Sequence, residues 1–353
     1  MAHSSNSTSA ALNLFVAHSP FQRFIADHIV RRMPEFRDSN NYLIVDGSTQ
    51  EAEVDRTGWR EVTICDPPVG ASVVGAGPRM RTVIQWAVYL CRQFRATRLF
   101  LTNVQWPLNN VLRATLRNET SWFLVEVCNY PEGIGSLGLV YPDWRQKMRD
   151  TAKSVLGVLT GVPYQPLRED LMGLERSDRI YSLMPHLLPE HLQAKAITIP
   201  PVPISSYAGD SRTCVFLGQN DRLVPKRYRR PLAEAAASYC RLLPYTRFLF
   251  KSHHYGESQD QRNVFVGAGF EPLANSRPIE QLLATDPAAC VVSFNSSALV
   301  HLKMMYGDRI RCVACFPDRF GKLAGQRTDR ADSVSSLFAR CGVEIWERDP
   351  REQ

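Results

Sequence analysis

The hydrophobic positions of this chain fall into two alternating patterns. Short continuous apolar runs of the kind that form buried strands are separated by longer stretches whose apolar residues recur every three or four positions. Leu12 to His18 is the first run, and Ser19-Pro20-Phe21-Gln22 follows it. Serine at the N-cap, proline at the first helical position and glutamine at the third make a capping box. The helix it starts runs to about Met33, where Pro34 stops it. Strand runs recur at Tyr42–Val45 and Glu61–Cys65. Arg79 to Arg95 carries a helical apolar face of Val83, Ile84, Trp86, Ala87 and Leu90. Arg98–Leu101 is a strand ending at Thr102-Asn103, Pro107–Arg117 a helix, and Trp122–Val127 a strand leading to Asn129–Gly133. A helical stretch near Asp143–Leu156 follows.

The rhythm breaks at Ile197–Arg212, where three prolines, serines and a glycine mark a linker. It then restarts. Cys214–Leu217 is a strand ending at Gly218-Gln219-Asn220, and Tyr228–Leu243 is a helix. Phe248–Phe250 is a strand ending in Lys251-Ser252-His253-His254. Val264–Val266 reads as a further short strand and Pro278–Ala284 as a helix. Ala288–Phe294 is a strand that ends in Asn295-Ser296-Ser297 and enters a helix reaching Tyr306. Ile310–Phe316, Ser333–Arg340 and Val343–Trp346 complete the series as strand, helix and strand. Strands alternating with helices of these lengths predict two α/β domains with mostly parallel, doubly wound sheets. The first covers residues 12–196 and the second residues 213–353, with 197–212 as linker and the small polar residues 1–11 as a disordered N-terminus.

Composition narrows the class. The 353 residues are 44% hydrophobic and 22% charged, ordinary for a globular protein that buries two cores. Formal charge is +7, with short clusters at Lys226-Arg227-Arg229-Arg230 and around Arg92, Arg95 and Arg98. That balance suits an acidic partner such as a nucleotide phosphate, an anionic glycan or a membrane surface. It lacks the aromatic-interleaved basic motif of an RNA binder, so nucleic acid is not the expected partner. Residues 1–12 have neither the basic start nor the apolar core of a signal peptide. With no run of 18 apolar residues, any membrane contact is expected to be peripheral, at the inner surface of a cytoplasmic membrane. The nine cysteines are scattered, several inside strand runs (Cys128, Cys214, Cys290), as in a cytoplasmic protein with reduced thiols. Cys312 and Cys315 are three apart in a strand, which turns them to opposite faces. No second ligand pair follows, so no metal site is expected.

The candidate chemistry lies at strand ends. Asn295-Ser296-Ser297 brings two hydroxyls and bare backbone N–H groups to the start of a helix, a phosphate site without a glycine-rich loop; plain N-capping explains the same residues. Lys251 and His253 arrive at the end of a nearby strand, where an imidazolium can donate a proton to a phosphate. Glu132-Gly133 lies at a strand end of the first domain, where a carboxylate can take a proton from an attacking hydroxyl; Pro-Glu-Gly is also a common surface turn, and Glu126 within the strand or Asp143 beyond the loop could serve instead. Glu280, at a helix start, can accept hydrogen bonds from ribose hydroxyls or can simply complement the helix dipole.

Together these residues resemble the bacterial sialyltransferases of the lipooligosaccharide-sialyltransferase and capsule-polysialyltransferase families. Those share an early strand ending in Ser-Pro-Phe-Gln, here Ser19 to Gln22. An acidic-acidic-Gly motif, a Lys-x-His-Pro motif and a Ser-Ser motif follow in that order. They correspond to Pro131-Glu132-Gly133, Lys251-Ser252-His253-His254 and Ser296-Ser297. The leading acid is replaced by Pro131, and His254 stands where the family has proline. The resemblance implies a GT-B fold, two Rossmann-like domains facing across a cleft, whose last segment can pack back on the first domain. It implies a CMP-sialic acid donor, a glycan or glycolipid acceptor of a lipopolysaccharide or capsule, and inversion at the anomeric carbon without a metal or other cofactor. Glu132 would be the base and His253 the acid. Gly218, Gln219, Asn220, Lys251, Glu280, Asn295, Ser296 and Ser297 would line the donor site. Ser19, Gln22, Asn103 and Gly133 would lie on the sugar and acceptor side. The absence of an Asp-x-Asp triplet agrees with a monophosphate leaving group held by protein donors. Two other readings fit the same pattern: a GT-B enzyme using a UDP- or GDP-sugar, as transferase or epimerase, and a nucleotide- or glycan-binding relative that has lost its base.

Overall fold

The structure is a computed structural model. It describes residues 11–46, 55–65, 77–94, 96–104, 106–118, 124–130, 144–162, 164–166, 173–201, 212–221, 224–253, 257–273, 277–283, 286–323 and 333–347. The chain divides into two compact units, Met1–Pro200 and Pro201–Gln353.

The first unit holds strands β1 (Leu12–Ala17), β2 (Asn40–Asp46), β3 (Glu61–Cys65), β4 (Ala96–Leu101), β5 (Leu124–Asn129), β6 (Arg179–Ser182) and β7 (Ala196–Thr198). Its helices are α1 (Pro20–Arg32), α2 (Pro34–Arg37), α3 (Gly77–Cys91), α4 (Pro107–Asn118), α5 (Trp144–Thr160) and α6 (Glu190–Gln193). The seven strands form one sheet in the order β3-β2-β1-β4-β5-β6-β7, every neighbouring pair parallel. The alternation of a strand's side chains builds both layers of core. Leu12, Leu14 and Val16 of β1 meet Val83, Ile84 and Ala87 of α3 and Leu108, Val111 and Leu112 of α4. Phe15 and Ala17 turn to the other face, against Ile25, Ala26 and Ile29 of α1. Phe15 stacks on Phe100 at 3.9 Å between ring centroids, tying β1 to β4.

The second unit holds β8 (Thr213–Leu217), β9 (Arg247–Lys251), β10 (Glu271–Pro272), β11 (Cys290–Ser293), β12 (Arg311–Cys315) and β13 (Glu344–Trp346). Its helices are α7 (Lys226–Leu242), α8 (Gln259–Gly267), α9 (Ile279–Leu282), α10 (Ser297–Tyr306), α11 (Pro317–Leu323) and α12 (Val334–Arg340). The sheet order is β10-β9-β8-β11-β12-β13, again all parallel. Phe216, Phe250, Phe265 and Phe294 form its aromatic centre, with Phe216 and Phe265 stacked at 4.0 Å.

Both units therefore have the doubly wound α/β fold expected from the hydrophobic rhythm. In each, strand order reverses between the first and fourth strands, at β1/β4 and at β8/β11. Crevices that bind ligands open beyond the carboxyl ends of strands at such a reversal.

Several elements differ from the sequence expectation. Val264–Val266 is not a strand but the C-terminal part of α8, whose N-cap Ser258 accepts a hydrogen bond from the Gln261 backbone N–H. Three apolar residues in a row fit a strand or a helix turn, and the cap decides. Residues 197 and 198, assigned by composition to the linker, belong to β7, which pairs with β6. Neither β6 nor β7 is visible as an apolar run: one opens on Arg179 and the other is three residues long. Strand β13 closes the second sheet beside β12. The cysteines behave as small core residues. Cys315 packs with Val313 on one face of β12, and Cys312 points away from that cluster, as the strand period requires.

Candidate functional site

At the reversal in the second sheet, β8 is followed by Gly218, whose N–H donates to the Lys251 carbonyl at the end of β9 (2.8 Å). The turn is tight: a Cβ there would stand 3.1 Å from Phe250 Cζ and 3.2 Å from both Gln261 Oε1 and the Lys251 carbonyl, so a larger residue requires its neighbours to shift. Gln219 then reaches across the switch point. Its side-chain amide donates to Ser293 Oγ (3.2 Å), the last residue of β11, and that hydroxyl donates to the Leu217 carbonyl (2.9 Å). Gln261 of α8 holds the Gln219 backbone from both sides, accepting from its N–H (3.0 Å) and donating to its carbonyl (3.3 Å). Asn220 follows in the same turn, half-buried.

One strand over, β9 delivers Lys251 and His253. The turn that carries them is fastened by two carboxylates. Asp221 accepts from the Ser258 N–H (2.7 Å) and hydroxyl (2.6 Å), joining the β8 turn to the start of α8. Glu257 accepts from Ser252 Oγ (3.0 Å) and from the His253 backbone N–H (3.1 Å). Burial drives the His253 imidazole down from its ordinary 6.5 to about 4, with Glu257 opposing that shift and Lys251 adding to it. Burial also lowers Lys251, against the pull of Glu280 and Glu257. A neutral His253 beside a partly desolvated Lys251 is an environment that an incoming anion would reverse, because it favours both cations.

On the other side of the switch point, β11 runs through buried Phe294 into half-buried Asn295, Ser296 and Ser297. Ser296 is the N-cap of α10, and its hydroxyl accepts from the Ala298 N–H (3.3 Å). Ser297 begins the helix. The structure thus brings Gly218, Gln219, Lys251, His253, Asn295, Ser296 and Ser297 to the carboxyl ends of three adjacent strands. Glu280 lies deeper. It is buried, and its carboxylate is 3.2 Å from Nδ1 of His301, a buried residue of α10. The Tyr306 hydroxyl donates to the Glu280 carbonyl (3.2 Å).

The first unit fills the corresponding place differently. His18, just past β1, is buried, with its ring stacked on Trp106 at 4.8 Å. Its Nδ1 faces Asp46 Oδ2 (3.0 Å) at the end of β2, and its Nε2 faces Asn109 Oδ1 (2.9 Å) in α4. The Asn109 amide donates in turn to the Asn103 carbonyl (2.8 Å). Ser19 caps α1, accepting from the Gln22 N–H (3.2 Å). Gln22 does not complete the expected capping box: its side-chain oxygen accepts from the His18 N–H (2.5 Å), one residue before the cap. Gln22 is fully buried in that role, so it frames the strand end rather than lining a surface. Tyr130, at the end of β5, donates its hydroxyl to the Val16 carbonyl (2.5 Å) and pins the chain directly ahead of Pro131. Glu132, Gly133 and His254 lie outside the described residues.

Glu257, Asp221, Gln261, His301 and the His18–Asp46 pair are not among the residues singled out from sequence. The signals exist in retrospect. Glu257 follows His253 by four positions across a glycine, Asp221 directly follows Gly218-Gln219-Asn220, and His18 ends a buried run immediately before a helix cap.

No family model matches the chain, and no curated protein matches it by sequence. Solved structures resemble it over nearly its full length. An α/β-galactoside α-2,3-sialyltransferase of Photobacterium phosphoreum superposes with a TM-score of 0.52 at 11% identity, covering 95% of this chain and 98% of that one. The UDP-GlcNAc 2-epimerase of Neisseria meningitidis bound to UDP-GlcNAc gives 0.52 at 9% identity, over 95% and 86% of the two chains. UGT89C1 of Arabidopsis thaliana with UDP-L-rhamnose gives 0.52 at 10%, over 98% and 86%. At such identities the likeness is one of fold, and the fold is GT-B.

Proposed function

We propose that this chain is a glycosyltransferase that moves sialic acid, or a related nonulosonate, from a CMP-sugar to a glycan hydroxyl with inversion at the anomeric carbon. The observation that carries the reading is the set of groups at the second unit's switch point. Lys251 and His253 stand at the carboxyl end of β9 and the Ser296-Ser297 helix start at that of β11, on either side of β8, and this basic and hydroxyl-rich set supports a seat for one phosphate. The GT-B fold is compatible with a nucleotide-sugar donor, and the order of the short motifs favours the cytidine monophosphate kind.

In the proposed reaction the acceptor oxygen forms a bond to the anomeric carbon as the bond from that carbon to the phosphate oxygen breaks. Both electrons of the breaking bond stay with CMP. The acceptor's proton passes to a carboxylate, assigned to Glu132 by its motif. His253, protonated once the donor's phosphate lies beside it, donates to the departing phosphate. Ser296, Ser297 and the first N–H groups of α10 stabilise the charge that grows there, at the positive end of a ten-residue helix. Glu280, buried and held by His301, is assigned no direct contact with the donor. Because the leaving group carries a single phosphate, protein donors suffice and the reaction is proposed to need no metal.

The test is a nucleotide panel. CMP should raise the melting temperature of the full chain in the presence of EDTA, with UDP, GDP and UMP weaker, and CMP-sialic acid should be hydrolysed slowly without an acceptor. Stabilisation by UDP or GDP in preference to CMP would replace this reading with a different nucleotide-sugar enzyme. Binding of CMP with neither hydrolysis nor transfer would point to a relative without catalysis.

A further inference from the structure

Helix α5 presents an apolar stripe to solvent. Trp144, Met148, Val155, Val158 and Leu159 are all between 58% and 78% exposed. At about 100° per residue, these five side chains fall within about 100° of arc, one continuous line along the helix. The helix cannot turn this line inward, because its opposite side is fixed. Asp150 is fully buried and accepts from the Tyr164 hydroxyl (3.1 Å) and from Lys153 (3.4 Å). Gly157 is pressed against the returning chain, its carbonyl accepting from the Val162 N–H (2.7 Å), and a Cβ there would stand 2.3 Å from the Val162 carbonyl.

Among the described residues of α5, the exposed charges beside the stripe are basic. Lys147 and Arg149 are exposed on either side of it. Exposed Arg81 of α3 brings a guanidinium nitrogen within 3.7 Å of where a Cβ on Gly161 would lie, at the C-terminal end of α5. The one acid of α5 is the buried Asp150. An apolar line of tryptophan, methionine, valine and leucine flanked by lysine and arginine matches the interface between acyl chains and anionic headgroups. The apolar residues enter the acyl boundary while the long basic side chains reach back to the phosphates. A second copy of the chain fits less well, since a two-fold pairing along this line would set the same cations against one another.

We infer that α5 docks this protein in-plane on an anionic phospholipid surface. The site in the second unit plays no part in this inference, and its assignment stands or falls separately. Sedimentation of the full chain with vesicles tests it. The wild-type protein should pellet with vesicles of phosphatidylcholine and phosphatidylglycerol, bind pure phosphatidylcholine weakly, and be released by high salt. Val158→Asp with Leu159→Asp should lower partitioning about tenfold or more, and Lys147→Glu with Arg149→Glu by about tenfold. Both pairs are exposed, so melting temperature and nucleotide binding should stay at wild-type values. Wild-type protein left in the supernatant, or variants that pellet as well as wild type, would overturn the inference. So would a wild-type dimer that Val158→Asp with Leu159→Asp dissociates in the absence of vesicle binding, which would make the stripe a contact between copies.

Discussion

The two sheets have the same strand order around their reversal, yet their carboxyl edges are finished in opposite ways. At β1/β4 the place after the first strand holds a histidine, wedged between Trp106, Asp46 and Asn109 and buried. At β8/β11 the same place holds Gly218, and the groups beyond it are half-buried: Gln219, Asn220, Asn295, Ser296 and Ser297. A topological reversal creates an opportunity for a site, and the side chain just past the first strand decides whether it is plugged or left accessible. At the first edge His18 is satisfied by Asp46 and Asn109. The second leaves a basic strand end and a helix start half-buried.

That contrast can be broken by substitution. The largest effect should come from His253→Ala. If His253 is the acid, transfer from a CMP-sugar falls about 10²–10⁴-fold, while CMP binding changes far less. Transfer at the wild-type rate would remove the acid assignment. Next in size, Asp46→Ala leaves a ring nitrogen of buried His18 without its hydrogen-bond partner and should cost up to about 3 kcal/mol of stability, read by denaturant unfolding. Its CMP affinity should be unchanged, and a loss of CMP binding would show that the first edge is not the closed structure described. Smaller still, Gly218→Ala crowds Phe250, Gln261 and the Lys251 carbonyl and should cost about 1–3 kcal/mol. Because Gln219 must then move, CMP affinity should weaken as well. A neutral outcome would mean that the tight turn is not what positions the β8 end.

Much of this contrast is legible in the sequence, but unevenly. The second edge can be read because its polar residues are contiguous with their strands. Lys251 to His253 follows Phe248–Phe250, and Asn295 to Ser297 follows the run ending at Phe294. The first edge cannot be read in the same way. His18, Asp46 and Asn109 are 28 and 91 residues apart along the chain, and only parallel pairing of β1 with β2 and the return of α4 unite them. The same limit hides Glu280, whose position next to a helix start suggests an accessible carboxylate although it is buried against His301. Asp221 and Glu257 illustrate a third case. Both look like ordinary acids in turns, and their role as fasteners appears only when the backbone N–H groups they accept from are located. Strands β6 and β7 escape because they are short edge elements that need little apolar sequence to pair.

The pH behaviour of His253 links the site's geometry to its chemistry. Burial holds the His253 ring at about 4, so it is neutral at pH 7.5. Since the folded value lies below the ordinary 6.5, the unfolded chain binds more protons between those values. This group's contribution to stability is therefore full above pH 6.5 and is lost as pH falls toward 4. A phosphate dianion placed beside the ring acts in the other direction and raises it. The most direct measurement is therefore calorimetric titration of CMP into the full chain at pH 7.5, in two buffers of different ionisation enthalpy. CMP should bind with net uptake of a proton by the protein, at most about one per site, and His253→Ala should abolish that uptake while retaining binding. Binding with no proton uptake, or with the same uptake in His253→Ala, would contradict the claim that the second sheet's carboxyl edge is a phosphate site protonated through His253.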